Sequence, residues 1–283
     1  MELNASKIGK VYEPTFWEVT EENIKKYASG YNDMDNPLFK AGQVAPPMYA
    51  TRYSAGAMYQ PFADQDLNIN FQRLVHGEHD IQWLALPKPG DTVRTMTIIH
   101  NMEEKSSGEL LVVRYESFVG EKMISTILGS FFIRAKKRPG EQKPEGAKAA
   151  PPPPPPKPPV LFTQKMYVTN DQTFRYAEGS GDHNPIHVDN DYAIAAGMPG
   201  MILQGLCTMA FGTKSVMDLV LDKDAERLKR FAVRFSKPVF PYDILTTEGW
   251  LMEEKPGMKV VGLEIKNQNG VVVLANGRAE VAV

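Results

Sequence analysis

Cysteine occurs once in this 283-residue chain, at Cys207, so an internal disulfide framework is excluded. Long apolar runs are also missing. None approaches the roughly 20 residues needed to span a bilayer, and the start, Met1-Glu2-Leu3-Asn4-Ala5-Ser6-Lys7, has no apolar secretory core. Excess positive charge is absent too: 32 basic residues face 34 acidic ones, for a formal net charge of −2. That balance removes the electrostatic reason to expect nucleic acid or an anionic membrane as the main partner. The C-terminus, Glu280-Val281-Ala282-Val283, carries no peroxisomal or retention address. The expected location is therefore a reducing one, most simply the cytoplasm.

What the chain does have is proline in one place and a repeat around it. Prolines run unbroken over 151–156 and resume at 158 and 159, after a stretch rich in Lys, Glu, Gly and Ala. This reads as a linker over 139–159, its last part a stiff polyproline II spacer. On either side the sequence can be superposed on itself with an offset of about 149 to 152 residues. Tyr27 to Asp33 matches the spacing of Tyr176 to Asp182, and Ile81, Trp83 and Pro89-Gly90-Asp91 match Val233, Phe235 and Pro241-Tyr242-Asp243. A collinear series of this kind reads as two fused copies of one unit. The expected domains are 1–138, the linker, and 160–283.

Each copy predicts the same elements. In the second, a helix is expected over 169–177 with Thr169 as its N-cap, ended by the Gly179-Ser180-Gly181 stretch. A short helix started by Asp189 or Asn190 follows. A long buried helix is expected from Gly205 to about Leu221, on a stripe through Leu206, Met209, Ala210, Thr213, Val216, Met217 and Val220. Strand-like runs come next at 231–235, 244–252, 259–266 and 271–281, and the first copy repeats them at 81–86, 93–101, 110–118 and 123–134. One long helix and an antiparallel meander, twice, predict an α+β fold whose two curved sheets join edge to edge, with the helix N-termini near the seam.

The chemistry concentrates in Gly181-Asp182-His183-Asn184-Pro185-Ile186-His187, where a carboxylate, an amide and an imidazole surround a proline. Such a cluster can hold a water and move its protons. Asp-x-Asn-Pro is by itself also an ordinary turn, since Asp and Asn bond their own backbone and proline fixes the bend. The first copy, Asp33-Met34-Asp35-Asn36-Pro37-Leu38-Phe39, has Phe39 close to where the histidine would fall. Its Asp33, Asp35 and Asn36 are expected to shape a loop.

The motif, preceded by Tyr176 and followed by Ala193 and Ala195, resembles the signature of the MaoC-like, R-specific enoyl-CoA hydratases (hydratase 2). The segments Pro199 to Thr208 and Arg234 to Pro241 are similar to the same family, and the degenerate first half resembles its double-hotdog members. The resemblance implies a double hotdog fold, an acyl-CoA substrate, and reversible hydration of a trans-2-enoyl thioester to a (3R)-hydroxyacyl thioester. It places catalysis on Asp182 and His187, an orienting amide on Asn184 and a stiffening proline on Pro185. The Gly205 N–H, at the head of the long helix, is the expected donor to the developing enolate oxygen. Gln204 stands where members often have histidine, and is expected at the substrate. Lys237 and Arg234 are candidates for the coenzyme A phosphates. No cofactor beyond the substrate's own coenzyme A is expected. A thioesterase and a non-catalytic acyl-thioester binding protein remain rivals, and a homodimer is the one protein partner considered.

Other features have plainer readings. His76-Gly77-Glu78-His79 lacks the third ligand zinc wants and is expected as a loop before Ile81. His183 is expected as a loop residue and Cys207 as a small core residue. The methionines are expected mainly as core filler, although Met198, Met201 and Met209 are candidates for the acyl pocket. The region 49–59 is expected to tune chain length.

Overall fold

The computed structural model describes residues 2–136 and 158–283. The polyproline run and nearly all of the expected linker lie outside the described residues. The first half contains β1 (Thr15–Glu18), α1 (Glu21–Gly30), α2 (Pro37–Ala41), α3 (Ala50–Tyr53), α4 (Ala55–Ala63), β2 (Leu74–Trp83), β3 (Thr92–Lys105), β4 (Gly108–Val119) and β5 (Lys122–Arg134). The second contains β6 (Val160–Tyr167), α5 (Gln172–Ser180), α6 (Pro185–Val188), α7 (Asn190–Ala195), α8 (Gly205–Val220), β7 (Leu228–Phe235), β8 (Ile244–Lys255), β9 (Met258–Lys266) and β10 (Val272–Ala282).

All ten strands form one sheet in the order β1-β3-β4-β5-β2-β7-β10-β9-β8-β6. That order reads the same from both ends once each strand is exchanged for its copy. The join is the antiparallel pair β2–β7, with Glu78 opposite Arg234 and Asp80 opposite Ala232. The edge-to-edge seam inferred from the repeat is therefore present, and a pseudo-twofold axis runs through it. Strand β3 alternates buried and half-exposed residues along most of its length, which is the mark of a sheet with one face on a core.

The core sits between that face and the helices. Helix α8 has 16 residues and buries every one from Cys207 to Met217, because the curved second half wraps it. Gly212 makes the close approach possible: a Cβ there would stand 3.0 Å from the ring of Phe231 on β7.

Several expectations are corrected. The first half has no single long helix; α3 and α4 contain four and nine residues, broken at Ser54, and Pro61 lies inside α4. A proline removes the N–H that would continue the hydrogen-bond ladder, and its ring crowds the preceding turn. Strand β2 begins at Leu74, so His76 to His79 is strand and not loop. A bulge between His76 and Glu78 breaks the alternation and hides the strand from period-two reading. Helix α5 runs three residues later than expected. Thr169 does not cap it, since its hydroxyl donates to Asp171 Oδ1 at 2.5 Å instead.

Candidate active site

Residues of the motif fold locally for identifiable reasons. Gly181 ends α5 in a left-handed conformation, φ +79°, and a Cβ there would collide with Arg52 Nη1 at 2.1 Å. Asn184 accepts from the Ile186 N–H at 3.2 Å and Pro185 occupies the first helical position, so the one-turn α6 starts there and carries His187 in its last turn. The first half repeats the device with Asn36, which accepts from Leu38 N–H at 3.1 Å, and Pro37.

His187 Nδ1 lies 2.8 Å from the carbonyl oxygen of Ile202. A carbonyl only accepts, so Nδ1 carries the proton and, in the neutral ring, Nε2 is left with a lone pair. That nitrogen stands 3.8 Å from Asp182 Oδ2. The gap is too long for a direct hydrogen bond and suits a bridging water. Both side chains are partly accessible, at 12% for His187 and 28% for Asp182. Asp182 Oδ1 accepts from the Asn184 N–H at 3.3 Å and from the Tyr59 hydroxyl at 3.4 Å.

The segment 202–205 ties this pair to the head of α8. Ile202 holds His187, and Gln204 Nε2 donates to the carbonyl oxygens of Thr173 at 3.0 Å and Asp182 at 3.4 Å. Gly205 follows directly, with its N–H in the first turn, where helical geometry leaves amides unpaired. A Cβ at Gly205 would press on the Phe235 ring at 3.3 Å, so glycine is also needed for packing. Gln204 itself is 1% exposed, with its amide NH₂ turned to backbone carbonyls, so it ties α5 and the loop to the head of α8. Asn184 spends its side-chain oxygen on the α6 cap.

Arg234 lies on the outer face of the sheet. Phe231 and Val233 are buried on the helix side of β7, so alternation turns Arg234 to the opposite face, where it is 60% exposed and lies 3.8 Å from Glu78. Lys237 is exposed two residues before Val239, whose carbonyl accepts from Leu203 N–H at 2.8 Å beside the α8 head. His183 is exposed in the loop, 4.0 Å from Glu178. Cys207 is buried and its thiol is pushed up by that burial. Met209 is fully buried, while Met198 and Met201 are half-buried.

Two residues of the first half reach the motif; both lie in the 49–59 region, which the sequence assigned to chain length and not to the catalytic loop. Arg52, lying over the Trp17 ring at 3.9 Å, donates to the Ser180 carbonyl at 3.3 Å. Tyr59 reaches Asp182, and its phenol is pushed up to about 12 by burial and by the Asp182 charge. Tyr49 and Tyr53, in contrast, are core residues. A row of rings also leads inward: Phe62 lies 4.8 Å from Phe131, Phe131 4.7 Å from His76, and His76 5.0 Å from Phe235 at Gly205. Burial holds His76 down at about 4, so it is a neutral ring in this row. His76 and His79 touch at 3.2 Å, and among the described residues no group of three or more His, Cys, Asp or Glu is placed to hold a metal.

The first half's own copy is closed. Asp33 and Asp35 meet Lys214 of α8 at 3.1 and 2.6 Å, and Lys214 also meets Asp218 at 2.9 Å. Phe39 is fully buried against Ala28, Met217 and Ala225. A cavity of about 430 Å³ on that side, lined by Leu84 to Lys88 and by Glu226, Leu228 and Lys229, contains neither Asp182 nor His187.

Among the described residues no helix is long and apolar enough to cross a membrane. Two family descriptions match the chain: MaoC like domain over residues 152–272, and FAS1-like, dehydratase domain region over residues 6–122. Peroxisomal multifunctional enzyme type 2 of Mus musculus is 31% identical over 74% of this chain, which spans 28% of that protein's length. Probable enoyl-CoA hydratase 2 of Dictyostelium discoideum is 30% identical over 73% of this chain and 69% of its own. 3-Hydroxyacyl-thioester dehydratase Y of Mycobacterium tuberculosis is 29% identical over 99% of both. Among solved structures, a MaoC-like dehydratase from Phytophthora capsici aligns with a TM-score of 0.78 at 21% identity, covering 99% of this chain and 98% of that one. A Mycobacterium tuberculosis protein described as a double hotdog aligns with a TM-score of 0.62 at 12% identity, covering 98% and 96%. Both halves of the fold and the extent of the sequence match agree: the chain belongs to the MaoC-like hydratase and dehydratase family, in its double hotdog form.

Proposed function

We propose that the protein catalyses the reversible addition of water to trans-2-enoyl-CoA thioesters, giving (3R)-3-hydroxyacyl-CoA, with Asp182 and His187 as its acid–base pair. The observation that carries this reading is the 3.8 Å gap between His187 Nε2 and Asp182 Oδ2, next to the head of α8. A water there donates one hydrogen bond to each group and turns a lone pair toward C3 of the enoyl chain. As the C3–O bond forms, one of the pair takes the water's proton and the π electrons move toward the thioester oxygen. The Gly205 N–H faces the charge that develops there, a contribution on the order of 10²–10³ in turnover for one such donor. The same pair returns a proton to C2, and acid–base help of this kind is typically worth about 10²–10⁴.

The aromatic row from Phe62 to Phe235 supports an acyl group lying toward the first half, and Lys237 remains the candidate for the coenzyme A phosphates. The reaction is acid–base chemistry throughout, and we propose no further cofactor. Both halves of the site come from one chain, so a second copy is not required for the chemistry. A cytoplasmic setting is supported by the single, buried cysteine, and imaging of the tagged protein tests it.

The test is a panel of enoyl thioesters, following loss of the conjugated double bond and product chirality, with free thiol release measured in parallel. Asp182→Asn and His187→Gln are each expected to remove hydration while thermal stability and ligand binding persist. Wild-type rates in both variants would refute the assignment, and thiol release without hydration would make the protein a thioesterase.

A further inference from the structure

We propose that Tyr59, contributed by the half that lost its own catalytic set, is a positioning residue for Asp182: its hydroxyl holds Oδ1 so that Oδ2 is the oxygen presented to the bridging water and His187. This rests on the hydration reading above and adds a residue to it.

The two oxygens of Asp182 have different surroundings. Oδ1 receives the Tyr59 hydroxyl at 3.4 Å and the Asn184 N–H at 3.3 Å, whereas Oδ2 faces His187 Nε2 at 3.8 Å. A carboxylate's terminal torsion is broad and two-fold, so the side chain alone does not choose which oxygen points where. Two donors on one oxygen make that choice. The other polar groups around the loop are already engaged with backbone: Arg52 with the Ser180 carbonyl, Gln204 with the Asp182 carbonyl, and His187 Nδ1 with Ile202. His183 points to solvent beside Glu178.

Tyr59 is suited to the task. Its helix is pinned on either side of it, by Thr97 Oγ1 donating to the Ala57 carbonyl at 3.0 Å and by Gln60 Nε2 donating to the Glu13 carbonyl at 2.8 Å. Tyr59 is 50% exposed, so it stands at the mouth and not in the core. Burial and the Asp182 charge keep the phenol protonated, which makes it a fixed donor through a proton-transfer cycle and not a base. The closed copy has a counterpart from its own half: Tyr31, the C-cap residue of α1, donates to Asp33 Oδ2 at 2.8 Å inside the core. In the open site the donor instead comes from the other half, which gives the degenerate half a reason to be retained.

Tyr59→Phe keeps the ring and removes the donor. It is expected to lower kcat about tenfold, the scale of one hydrogen bond to a charged group, with KM within about twofold of wild type. Tyr59→Ala should be no worse in kcat than Tyr59→Phe, and 3-fluorotyrosine at position 59 should restore the rate. Wild-type kcat in Tyr59→Phe, or a loss seen with alanine alone, overturns the proposal. The contact is also read without turnover. The ¹⁹F resonance of 3-fluorotyrosine 59 should titrate at lower pH in Asp182→Asn, because the nearby negative charge is gone; an unchanged midpoint overturns the proposal even if kcat falls. A wild-type protein that hydrates no thioester overturns the functional reading instead, a result distinct from either of these.

Discussion

The hydroxyls of Tyr27 and Tyr176 meet at 3.1 Å, both fully buried, at equivalent positions of the two halves. Two equivalent atoms in mutual contact must lie at the pseudo-twofold axis, so this pair marks where α1 and α5 cross. The same helices touch through glycines: a Cβ at Gly30 would stand 3.2 Å from Tyr176 Cα, and one at Gly179 would stand 2.9 Å from Tyr27 Cα. The catalytic loop leaves α5 two residues beyond that second contact.

Gly179→Ala should therefore destabilise the protein, although alanine in a helix interior normally gains about 1 kcal/mol over glycine. The added methyl meets backbone atoms, Lys26 O and Tyr27 Cα, both at 2.9 Å, and neither can rotate away. A loss of about 1–3 kcal/mol is expected on the scale of overpacked cores, together with reduced turnover as the loop shifts. Urea denaturation checks the sign: a more stable variant would mean that the helices separate at no cost.

Lys214 makes a second test, in the closed copy. Burial opposes its charge, yet Asp33, Asp35 and Asp218 hold it above the usual lysine range. Burial also raises Asp33, to about 6, against the pull of Lys214. A folded value above the 3.8 of the free group means that Asp33 adds stability below about pH 4, and that this fades as the pH rises through about 6. Lys214→Met removes the counter-charge and should cost about 3–5 kcal/mol at pH 7, the scale for stranding one partner of a buried pair. The deficit should shrink from pH 7 to pH 5 as Asp33 takes up a proton. Denaturation across that range reads it, and a deficit that grows toward pH 5 would contradict the assignment.

Much of this was legible in the sequence because it is local. The α8 stripe, the strands β3 to β5 and the Asp182 to His187 motif each lie within a short window whose period or spacing carries the information. The repeat then supplied the edge-to-edge join of the two sheets. What was hidden acts across distance or breaks a period. Tyr59 and Arg52 sit 123 and 128 residues from the atoms they hold, in a half with no surviving motif to point at them. The bulge at Gly77 disguised the start of β2, and Pro61 lies inside a helix that was expected to run unbroken. Arg234 is exposed for a local reason. Its charge suggested a ligand, while the alternation of Phe231 and Val233 already put it on the outer face.

Gln204 provides the last prediction, because its position is where the family resemblance and this chain part. Its amide donates to the carbonyls of Thr173 and Asp182 and so connects α5, the catalytic loop and the head of α8. Gln204→Leu keeps the bulk but removes both bonds; the Thr173 carbonyl keeps its helical partner within α5, while the part-buried Asp182 carbonyl loses its donor, which should cost about 1 kcal/mol. Turnover should fall further than stability alone explains, since the backbone of Asp182 is released from the segment that also carries Gly205. Gln204→His can donate one N–H from a similar position and should recover part of both losses. Urea midpoints and kcat for the three proteins decide it. A leucine variant as stable and as fast as wild type would show that the loop is held by Arg52 and Ser180 without the amide.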